Sequence, residues 1–225
     1  MTNPVLLLHG FGTTAARTWR DNGWIDLLAD LGRTVVAPDL PGHGPPPQPH
    51  DPAAYAGLAG QVAELLPAPP VVLDAIGFSQ GSRLLLELAA DDPARFGRLV
   101  VTGVGANVLR HDDSDALARA LASDVVADHP LARYFQGLAA DGDRDALVAF
   151  LRRPGQSALT PQRLAGVTCP VLVVLGEDDF AGPAEPLVEA LPNATLVSVP
   201  RLDHFATPKD LRVLDAALTF LGAAP

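Results

Sequence analysis

The sequence predicts an α/β fold, with a mostly parallel sheet of about six strands and helices on both of its faces. Two observations lead to this prediction. Short apolar runs alternate with segments whose apolar residues recur at helical spacing, and the connections between them are short over most of the chain. Runs that are apolar at every position are typical of parallel strands buried on both faces. Alternation of such strands with helices favours a parallel sheet covered by helices.

The strands are predicted from apolar runs that end at glycines or in turn-rich loops. These runs lie at residues 5–9, 34–37, 71–76, 99–103, 171–175 and 195–199. Amphipathic patterns predict helices at residues 24–31, 52–66, 184–191 and 209–221, with a further helix between the turn at residue 79 and Pro93. Gly32 and the prolines that follow residue 66 mark helix ends, because glycine caps a helix and proline cannot continue one.

One long interval, residues 106–167, breaks the alternation and contains only helical patterns, at residues 116–126, 131–138 and 145–151. Open α/β sheets bind ligands at the carboxyl edge of their strands, so an insertion at that edge is expected to lie over the site. We interpret residues 106–167, hereafter the lid segment, as a small helical lid within one domain that spans residues 1–225. The alternative is that these helices only enlarge the core.

The composition disfavours several classes of partner. The chain has 225 residues, of which 48% are hydrophobic and 19% charged, and its net charge is −10. So acidic a net charge argues against electrostatic binding of nucleic acid or of an anionic membrane, because either would need a basic face. No apolar run approaches the roughly 18 residues of a membrane span, and the amino terminus runs into a strand without a basic segment. We expect a cytoplasmic protein whose partner is a small molecule.

The most informative stretch is Gly77-Phe78-Ser79-Gln80-Gly81, between the third predicted strand and a helix. A G-x-S-x-G pattern in this context is typical of a nucleophile elbow, a sharp turn that exposes a reactive serine. The glycines allow a strand and a helix to approach closely around a strained residue. For the pentapeptide alone, the alternative is an ordinary glycine-bracketed turn with a capping serine.

An acid and a histidine follow later strands. A serine hydroxyl is a weak nucleophile until a base removes its proton, and that base needs a carboxylate to orient it. Asp179 follows the fifth predicted strand and His204 follows the sixth. Both loops leave the same edge of the sheet as Ser79, which can bring the three side chains together. We predict Ser79, Asp179 and His204 as catalytic residues, with Asp178 as an alternative acid because a loop can turn either carboxylate inward.

With these motifs the chain resembles the α/β-hydrolase fold superfamily over nearly its whole length, in the branch with a lid between the sixth and seventh strands of the family fold. The resemblance is carried by His9-Gly10-Phe11-Gly12, Asp39-Leu40-Pro41-Gly42-His43-Gly44, the Ser79 pentapeptide, Gly176 with Asp179, and His204. It implies that Ser79 is the nucleophile, His204 the general base and acid, and Asp179 its orienting partner. It also implies an oxyanion hole made by the backbone N–H groups of Phe11 and Gln80.

The chain departs from the family pattern in two places. The family often opens with two further strands, whereas this chain begins almost at the strand before His9, so about six strands are expected. A glycine commonly stands close before the catalytic histidine, and here Asp203 takes that place. Asp203 is a poor candidate for the catalytic acid because the side chains of neighbouring residues diverge.

The remaining conspicuous residues have weaker interpretations. Trp19, Phe78, Phe180 and Phe205 fall near the predicted strand ends as candidate substrate-pocket residues, with core packing as the alternative for each. His9 and His43 are predicted to be structural hydrogen-bonding groups, and Asp39 to brace its turn. His50, His111 and His129 stand apart without ligand spacing, so no metal site is expected. Cys169, the single cysteine, allows no intrachain disulfide and is expected to be inert packing.

Together these residues predict a serine hydrolase that cleaves a small carboxylic ester through an acyl-enzyme intermediate, without a metal or organic cofactor. Thioesters, lactones, carbon–carbon bonds and perhydrolysis remain compatible, since the fold does not choose among them. The serine at the elbow disfavours dehalogenase and epoxide chemistry, which would suggest an aspartate there. A binding protein that retains the hydrolase scaffold is a further alternative, although it would have no need of all three catalytic residues.

Overall fold

A single parallel sheet organises the molecule. The computed structural model describes residues 2–110, 114–126, 128, 130–139, 142–156 and 158–223. Within this part of the chain six strands form one sheet, in the order β2-β1-β3-β4-β5-β6. They are β1 (Val5–Leu8), β2 (Val35–Val36), β3 (Leu73–Phe78), β4 (Phe96–Thr102), β5 (Val171–Gly176) and β6 (Ala194–Val199). Every neighbouring pair is parallel, so the predicted fold class and number of strands are confirmed.

The strand order places a crevice between β1 and β3. The chain passes from β1 to β2 on one side of β1 and then continues with β3 on the other side. At such a switch point the loops that follow the two strands run apart and leave room for a ligand at the carboxyl edge of the sheet. The loop after β1 contains Phe11, and the turn after β3 contains Ser79.

Helices cover both faces of the sheet. Among the described residues they are α1 (Trp24–Asp30), α2 (Leu58–Glu64), α3 (Gln80–Asp91), α4 (Ser114–Ala122), α5 (Pro130–Ala139), α6 (Arg144–Leu151), α7 (Pro161–Leu164), α8 (Glu185–Ala190) and α9 (Leu211–Phe220). One buried cluster joins α1 and α9 to the sheet, and a second joins α2, α3 and α8 to its opposite face. No helix in the described ranges is long and apolar enough to cross a membrane.

Strand β1 shows why its sequence is apolar at every position. Leu6 and Leu8 belong to the cluster on the α3 side of the sheet, and Val5 and Leu7 belong to the cluster on the α9 side. Alternate side chains of a strand point to opposite faces, and all four of these side chains are fully buried. A central parallel strand between two helical layers therefore has no polar face.

The predicted helix at residues 52–66 is wrong in its first half. Pro52–Tyr55 forms one short 3-10 turn, and α2 begins only at Leu58. Gly57 separates them with a φ of 62°, a left-handed conformation that glycine adopts readily and that interrupts a helix. Tyr55 and Leu58 are nevertheless buried in the same cluster, so the helical spacing of apolar residues came from two elements that share one buried face.

The lid segment lies between β4 and β5. Its described residues form a turn at Ala106–Leu109 and helices α4 to α7. Helices α4 and α6 share a small apolar cluster of their own, which includes Leu121 and Leu147, while Phe150 of α6 enters the main core. The boundaries 106–167 and the role as a lid stay a prediction.

Candidate active site

Ser79 lies at the tip of a sharp turn between β3 and α3. Its φ of 53° and ψ of −114° are unusual for a residue with a side chain, and such strained residues cluster at functional sites. Its backbone N–H donates to the carbonyl of Thr102 at 2.8 Å. The Ser79 side chain makes no capping hydrogen bond to α3, which was the role that an ordinary turn would have given it.

The two glycines of the motif allow the backbone around Ser79 to pack closely. A Cβ atom at Gly81 would lie 2.0 Å from the carbonyl oxygen of Leu8, and one at Gly77 would lie 2.6 Å from the backbone of Ser82. The Ser82 hydroxyl donates to the carbonyl of Thr102 at 2.8 Å and accepts from its N–H at 2.9 Å. These contacts fix the start of α3 against β1 and β4.

A chain of hydrogen bonds joins Ser79, His204 and Asp179. The Ser79 Oγ lies 3.0 Å from His204 Nε2, and His204 Nδ1 lies 2.9 and 3.0 Å from the two carboxylate oxygens of Asp179. An ionised carboxylate only accepts hydrogen bonds, so Nδ1 carries the proton and Nε2 of the neutral ring accepts from the serine hydroxyl. Asp179 and His204 are 6% and 3% exposed, which shields the contact between their side chains from water.

The loop after β5 turns Asp179, and not Asp178, toward the histidine. Asp179 Oδ1 also accepts from the N–H of Ala181 at 2.8 Å, which orients the carboxylate. Asp178 is exposed, and its backbone N–H donates to the carbonyl of Leu202 at 3.1 Å. Asp203 is also exposed, and its carboxylate accepts from the N–H of Ala206 at 2.8 Å.

The two predicted oxyanion-hole residues lie beside Ser79. Phe11, in the loop after β1, and Gln80, the first residue of α3, line the same cavity as Ser79. Within the part of the chain that the structure describes, neither backbone N–H donates to a carbonyl outside the regular elements. The first N–H groups of a helix have no partner within it, so the N–H of Gln80 is available to a ligand.

Ser79 lines two cavities, each of a size typical of small-molecule sites. One has a volume of about 370 Å³ and is lined by Phe205 and by Tyr134 of α5; we call it the Phe205 cavity. The other has a volume of about 400 Å³ and is lined by Phe180 and by residues of α4 and α6; we call it the lid cavity. Phe11 and Phe135 line both cavities.

Three of the four predicted pocket aromatics surround His204. The rings of Phe180 and Phe78 lie 4.3 and 5.0 Å from its imidazole, centroid to centroid. Phe205 lies with its centroid 3.7 Å from that of Tyr134. Phe78 and Phe205 line the Phe205 cavity, and Phe180 lines the lid cavity.

Trp19 is a correction to the predicted pocket, because neither cavity includes it. Its indole is 1% exposed and packs edge to face against Trp24, with the ring centroids 5.4 Å apart. The π-helical segment Ala16–Arg20 turns this large apolar ring into the core. Core packing, the alternative interpretation, therefore describes Trp19.

His9 and His43 brace the loops that follow β1 and β2. The Nδ1–H of His9 donates to the carbonyl of Gly10 at 2.8 Å, and its Nε2 accepts from the N–H of Leu40 at 2.9 Å. Burial lowers the pKa of His9 to about 4 and that of His43 to about 3, and the neighbouring His9 lowers the latter further. Both rings are therefore neutral at pH 7. Asp39 accepts from the N–H of Ala15 at 2.8 Å.

His50 and Cys169 lie outside the two cavities. His50 contacts a carboxylate oxygen of Asp143 at 2.8 Å, and the predictions for His111 and His129 fall outside the described residues. Among the residues with described positions, no three His, Cys, Asp or Glu side chains cluster as a metal site would require. Cys169 is buried in the core, and burial raises the pKa of its thiol.

Sequence reasoning missed several residues that line the cavities, and Tyr134 and Arg153 show why. Tyr134 of α5 falls in an ordinary amphipathic pattern, in which a cavity-lining aromatic is indistinguishable from a core one. Arg153 lines the lid cavity, although a basic residue at the end of an amphipathic helix is typical of a solvated surface. Only the fold shows that the chain turns inward just after α6, which ends at Leu151.

Comparison with known proteins places the chain in a family. A family model described as the alpha/beta hydrolase family matches residues 5–216. The chain belongs to the alpha/beta hydrolase family. A relative from Dechloromonas aromatica, a 2-hydroxy-6-oxononadienedioate/2-hydroxy-6-oxononatrienedioate hydrolase, is 27% identical and aligns with 90% of this chain and 80% of its own length.

Two solved structures share the fold over essentially the whole chain. One is the 2-hydroxy-6-oxo-6-phenylhexa-2,4-dienoate hydrolase of a Rhodococcus species, with a TM-score of 0.73, 24% identity, and coverage of 99% of this chain and 91% of that one. The other is a bromoperoxidase of Bacillus anthracis, with a TM-score of 0.76, 17% identity, and coverage of 100% and 93%. The family and its relatives support a hydrolase in general and no particular ester.

Proposed function

We propose that the chain is a serine hydrolase that cleaves a small carboxylic ester through an acyl-enzyme intermediate. The observation that carries this proposal is the hydrogen-bonded chain from Ser79 Oγ to His204 Nε2, at 3.0 Å, and from His204 Nδ1 to Asp179, at 2.9 Å. A nucleophile in contact with a base, and a base oriented by a carboxylate, is the arrangement that acyl transfer needs.

In the first half-reaction Ser79 Oγ attacks the ester carbonyl while His204 Nε2 takes its proton. Asp179 stabilises the imidazolium that forms. The N–H groups of Phe11 and Gln80 donate to the oxyanion, and each such donor is typically worth about 3 kcal/mol in the transition state. Collapse of the tetrahedral intermediate expels the alcohol, which receives the proton from His204.

In the second half-reaction water releases the acid. His204 Nε2 takes a proton from a water molecule as its oxygen attacks the acyl carbonyl, and then returns the proton to Ser79 Oγ. Serine, histidine and carboxylate complete this cycle without a metal or an organic cofactor. Cavities of about 370 and 400 Å³ on either side of Ser79 suit the acyl and alcohol portions of a small ester.

Turnover of 4-nitrophenyl acetate and butyrate tests the proposal. We expect the wild type to release nitrophenolate and the Ser79→Ala variant to fall at least about a thousandfold in kcat, because the nucleophile is gone. Ser198→Ala, an exposed serine of β6, is the matched control and is expected to retain full activity. A fluorophosphonate should label the peptide that contains Ser79, as located by mass spectrometry.

Two outcomes would contradict the proposal. Wild-type turnover no faster than that of Ser79→Ala across several acyl chains would favour a ligand-binding protein on a hydrolase scaffold. Phosphonate labelling at another residue would contradict the site assignment.

A second candidate function is hydrolysis of an acyl compound whose carbonyl is not part of an ester. The Dechloromonas relative is named for a hydroxy-oxo diacid, a compound without an ester bond, and the same serine, base and oxyanion donors can act on a ketone carbonyl. This candidate predicts Ser79-dependent cleavage of 2-hydroxy-6-oxononadienedioate at a kcat/KM above that for every 4-nitrophenyl ester. The reverse order of the two values would favour the ester.

A further inference from the structure

The lid cavity carries positive charge in an acidic protein. Three arginines line it together with Ser79, namely Arg83, Arg110 and Arg153. No aspartate or glutamate is among the described residues that line it, although the chain as a whole has a net charge of −10. The arginines of the lid cavity contrast with the acidic character of the whole chain. This contrast indicates that they serve a ligand of the cavity and do not simply follow the overall charge.

Arg153 is the buried member of this group. It is 9% exposed, and its Nη1 donates to the carbonyl of Phe150 at 2.8 Å. The guanidinium carbon lies 4.1 Å from the centre of the Phe150 ring. Among the described residues, no carboxylate lies within ion-pair distance of Arg153, and the carbonyl of Phe150 is the one hydrogen-bond acceptor that its side chain meets. A guanidinium carries five N–H donors.

The charges near Arg153 do not cancel its own. Burial lowers the pKa of Arg153 to about 10, so the group stays protonated at neutral pH, and Glu87 raises the pKa while Arg83 lowers it. Glu87 is itself paired with Arg83, with the Arg83 Nε 3.2 Å from its carboxylate. Glu87 therefore pairs directly with Arg83 and acts on Arg153 only from a greater distance.

We propose that the lid cavity binds an anionic substrate and that Arg153 holds its carboxylate while Ser79 attacks the acyl carbon. This inference rests on the proposed hydrolase function and adds the chemical class of the substrate. A buried charge is stable only when it is paired and hydrogen-bonded. The planar guanidinium matches a carboxylate with two parallel hydrogen bonds, so a substrate carboxylate supplies what the protein does not.

Two pairs of esters test the proposal, each differing only by a carboxylate in place of a methyl group. Mono-4-nitrophenyl adipate against 4-nitrophenyl hexanoate places the charge on the acyl side, and 3-acetoxybenzoate against 3-tolyl acetate places it on the alcohol side. We expect a wild-type kcat/KM ratio, anionic over neutral, of about ten or more in one pair, because a desolvated charge-assisted hydrogen bond discriminates by at least that factor.

Arg153→Met should bring this ratio to about one by raising the KM of the anionic ester, with the neutral ester within about twofold of wild type. Arg152→Met is the matched control. It removes the same charge one residue away, from an exposed side chain paired with Asp115 at 3.3 Å, and should keep the wild-type ratio. An equal loss on both esters of a pair would show that Arg153 only supports the fold and would overturn the proposal.

Two further measurements separate this inference from the proposed function. A wild-type ratio of one or less in both pairs overturns it even where Arg153→Met does not fold. Direct titration of the Ser79→Ala protein with each ester measures binding without turnover, and the anionic ester should bind about tenfold more tightly. Absent turnover with preserved anion preference would contradict the esterase alone, whereas Ser79-dependent turnover without the preference would contradict the anion site alone.

Discussion

The loops that carry the catalytic candidates and the lid segment border the same cavities but are held in place by different contacts. The first group, the triad loops, consists of residues 77–81, 176–181 and 202–205. Their backbones touch other backbones, as at Gly176, where a Cβ would lie 2.0 Å from the carbonyl oxygen of Leu202. The lid segment contributes side chains, such as Phe135, whose ring centroid lies 5.4 Å from that of Phe11. Two of its valines, Val125 and Val126, are 75% and 67% exposed.

From this difference we infer separate tasks for the two regions. Backbone contacts leave no room for an added side chain, so the positions of Ser79, Asp179 and His204 are fixed to within the reach of a hydrogen bond. Side-chain contacts across a cavity accept other residues with modest rearrangement. We therefore propose that the triad loops determine which bond can be broken and that the lid segment determines which substrate reaches it.

Replacing the acid gives the largest expected effect on the triad loops. Asp179→Asn should lower kcat for 4-nitrophenyl butyrate by about 10³- to 10⁴-fold, because an amide can leave His204 in the wrong tautomer for accepting the Ser79 proton. Asp178→Asn makes the same chemical change on the exposed neighbour and should stay within about twofold of wild type. Comparable losses in the two variants would mean that the loop offers either carboxylate to the histidine.

The close backbone packing of the elbow predicts the next largest effect. Gly81→Ala places a Cβ 2.0 Å from the Leu8 carbonyl oxygen, so β1 or α3 must shift, and we expect a loss of about 3 kcal/mol in the free energy of unfolding. Gly60→Ala, in α2, meets nothing within 4 Å and should be neutral or stabilise by up to about 1 kcal/mol. Urea unfolding of both variants measures this, and equal effects would remove the steric argument.

Most of the fold could be predicted because the sheet lies between two helical layers, which makes its inner strands apolar along their length. Strands β1 and β5 are apolar at every residue, and the sequence placed both with errors of no more than one residue at their ends. Strand β3 begins at Leu73 rather than at residue 71, because Val71 and Val72 are each 36% exposed and precede the sheet. The prediction of one helix over residues 52–66 was wrong for a local reason, since an amphipathic pattern does not reveal the left-handed conformation of Gly57.

The residues of the candidate site likewise divide into those that the sequence predicts and those that it does not. Ser79, Asp179 and His204 could be predicted because each follows a strand, and the carboxyl ends of parallel strands share one edge of the sheet. Trp19 could not be placed from sequence, because a tryptophan near that edge can turn either to the cavity or to the core. Arg153 carries no sequence signal of burial, since its inward position depends on how α6, which precedes it, packs against α4 and the Pro52–Tyr55 turn.

His43 tests whether the loops beside the triad depend on a buried neutral ring. Its pKa of about 3 in the folded protein lies below the usual 6.5, so as pH falls from 6.5 to 5 the unfolded chain binds a proton that the folded chain does not. Stability is therefore lost on acidification, by about 2 kcal/mol at pH 5 from this residue.

Urea unfolding at pH 7 and pH 5 measures this loss. The difference between the two pH values should be about 2 kcal/mol smaller in His43→Gln than in the wild type. His50→Gln makes the same substitution at an exposed histidine. An equal reduction in both variants would show that burial of His43 is not the cause.

The smallest effect is expected in the lid segment, where Phe135 lines both cavities. Phe135→Ala removes an apolar wall without touching the hydrogen bonds of Ser79, so turnover should persist while selectivity changes. We expect kcat/KM for 4-nitrophenyl octanoate relative to the butyrate to rise about fivefold, as a pocket discriminates methylene groups by about 1 kcal/mol or more. Val125→Ala, exposed in the same segment, should leave the ratio unchanged. If instead Phe135→Ala abolished turnover of every ester, the lid would be holding the catalytic groups in place, and the division of tasks between the two regions would be wrong.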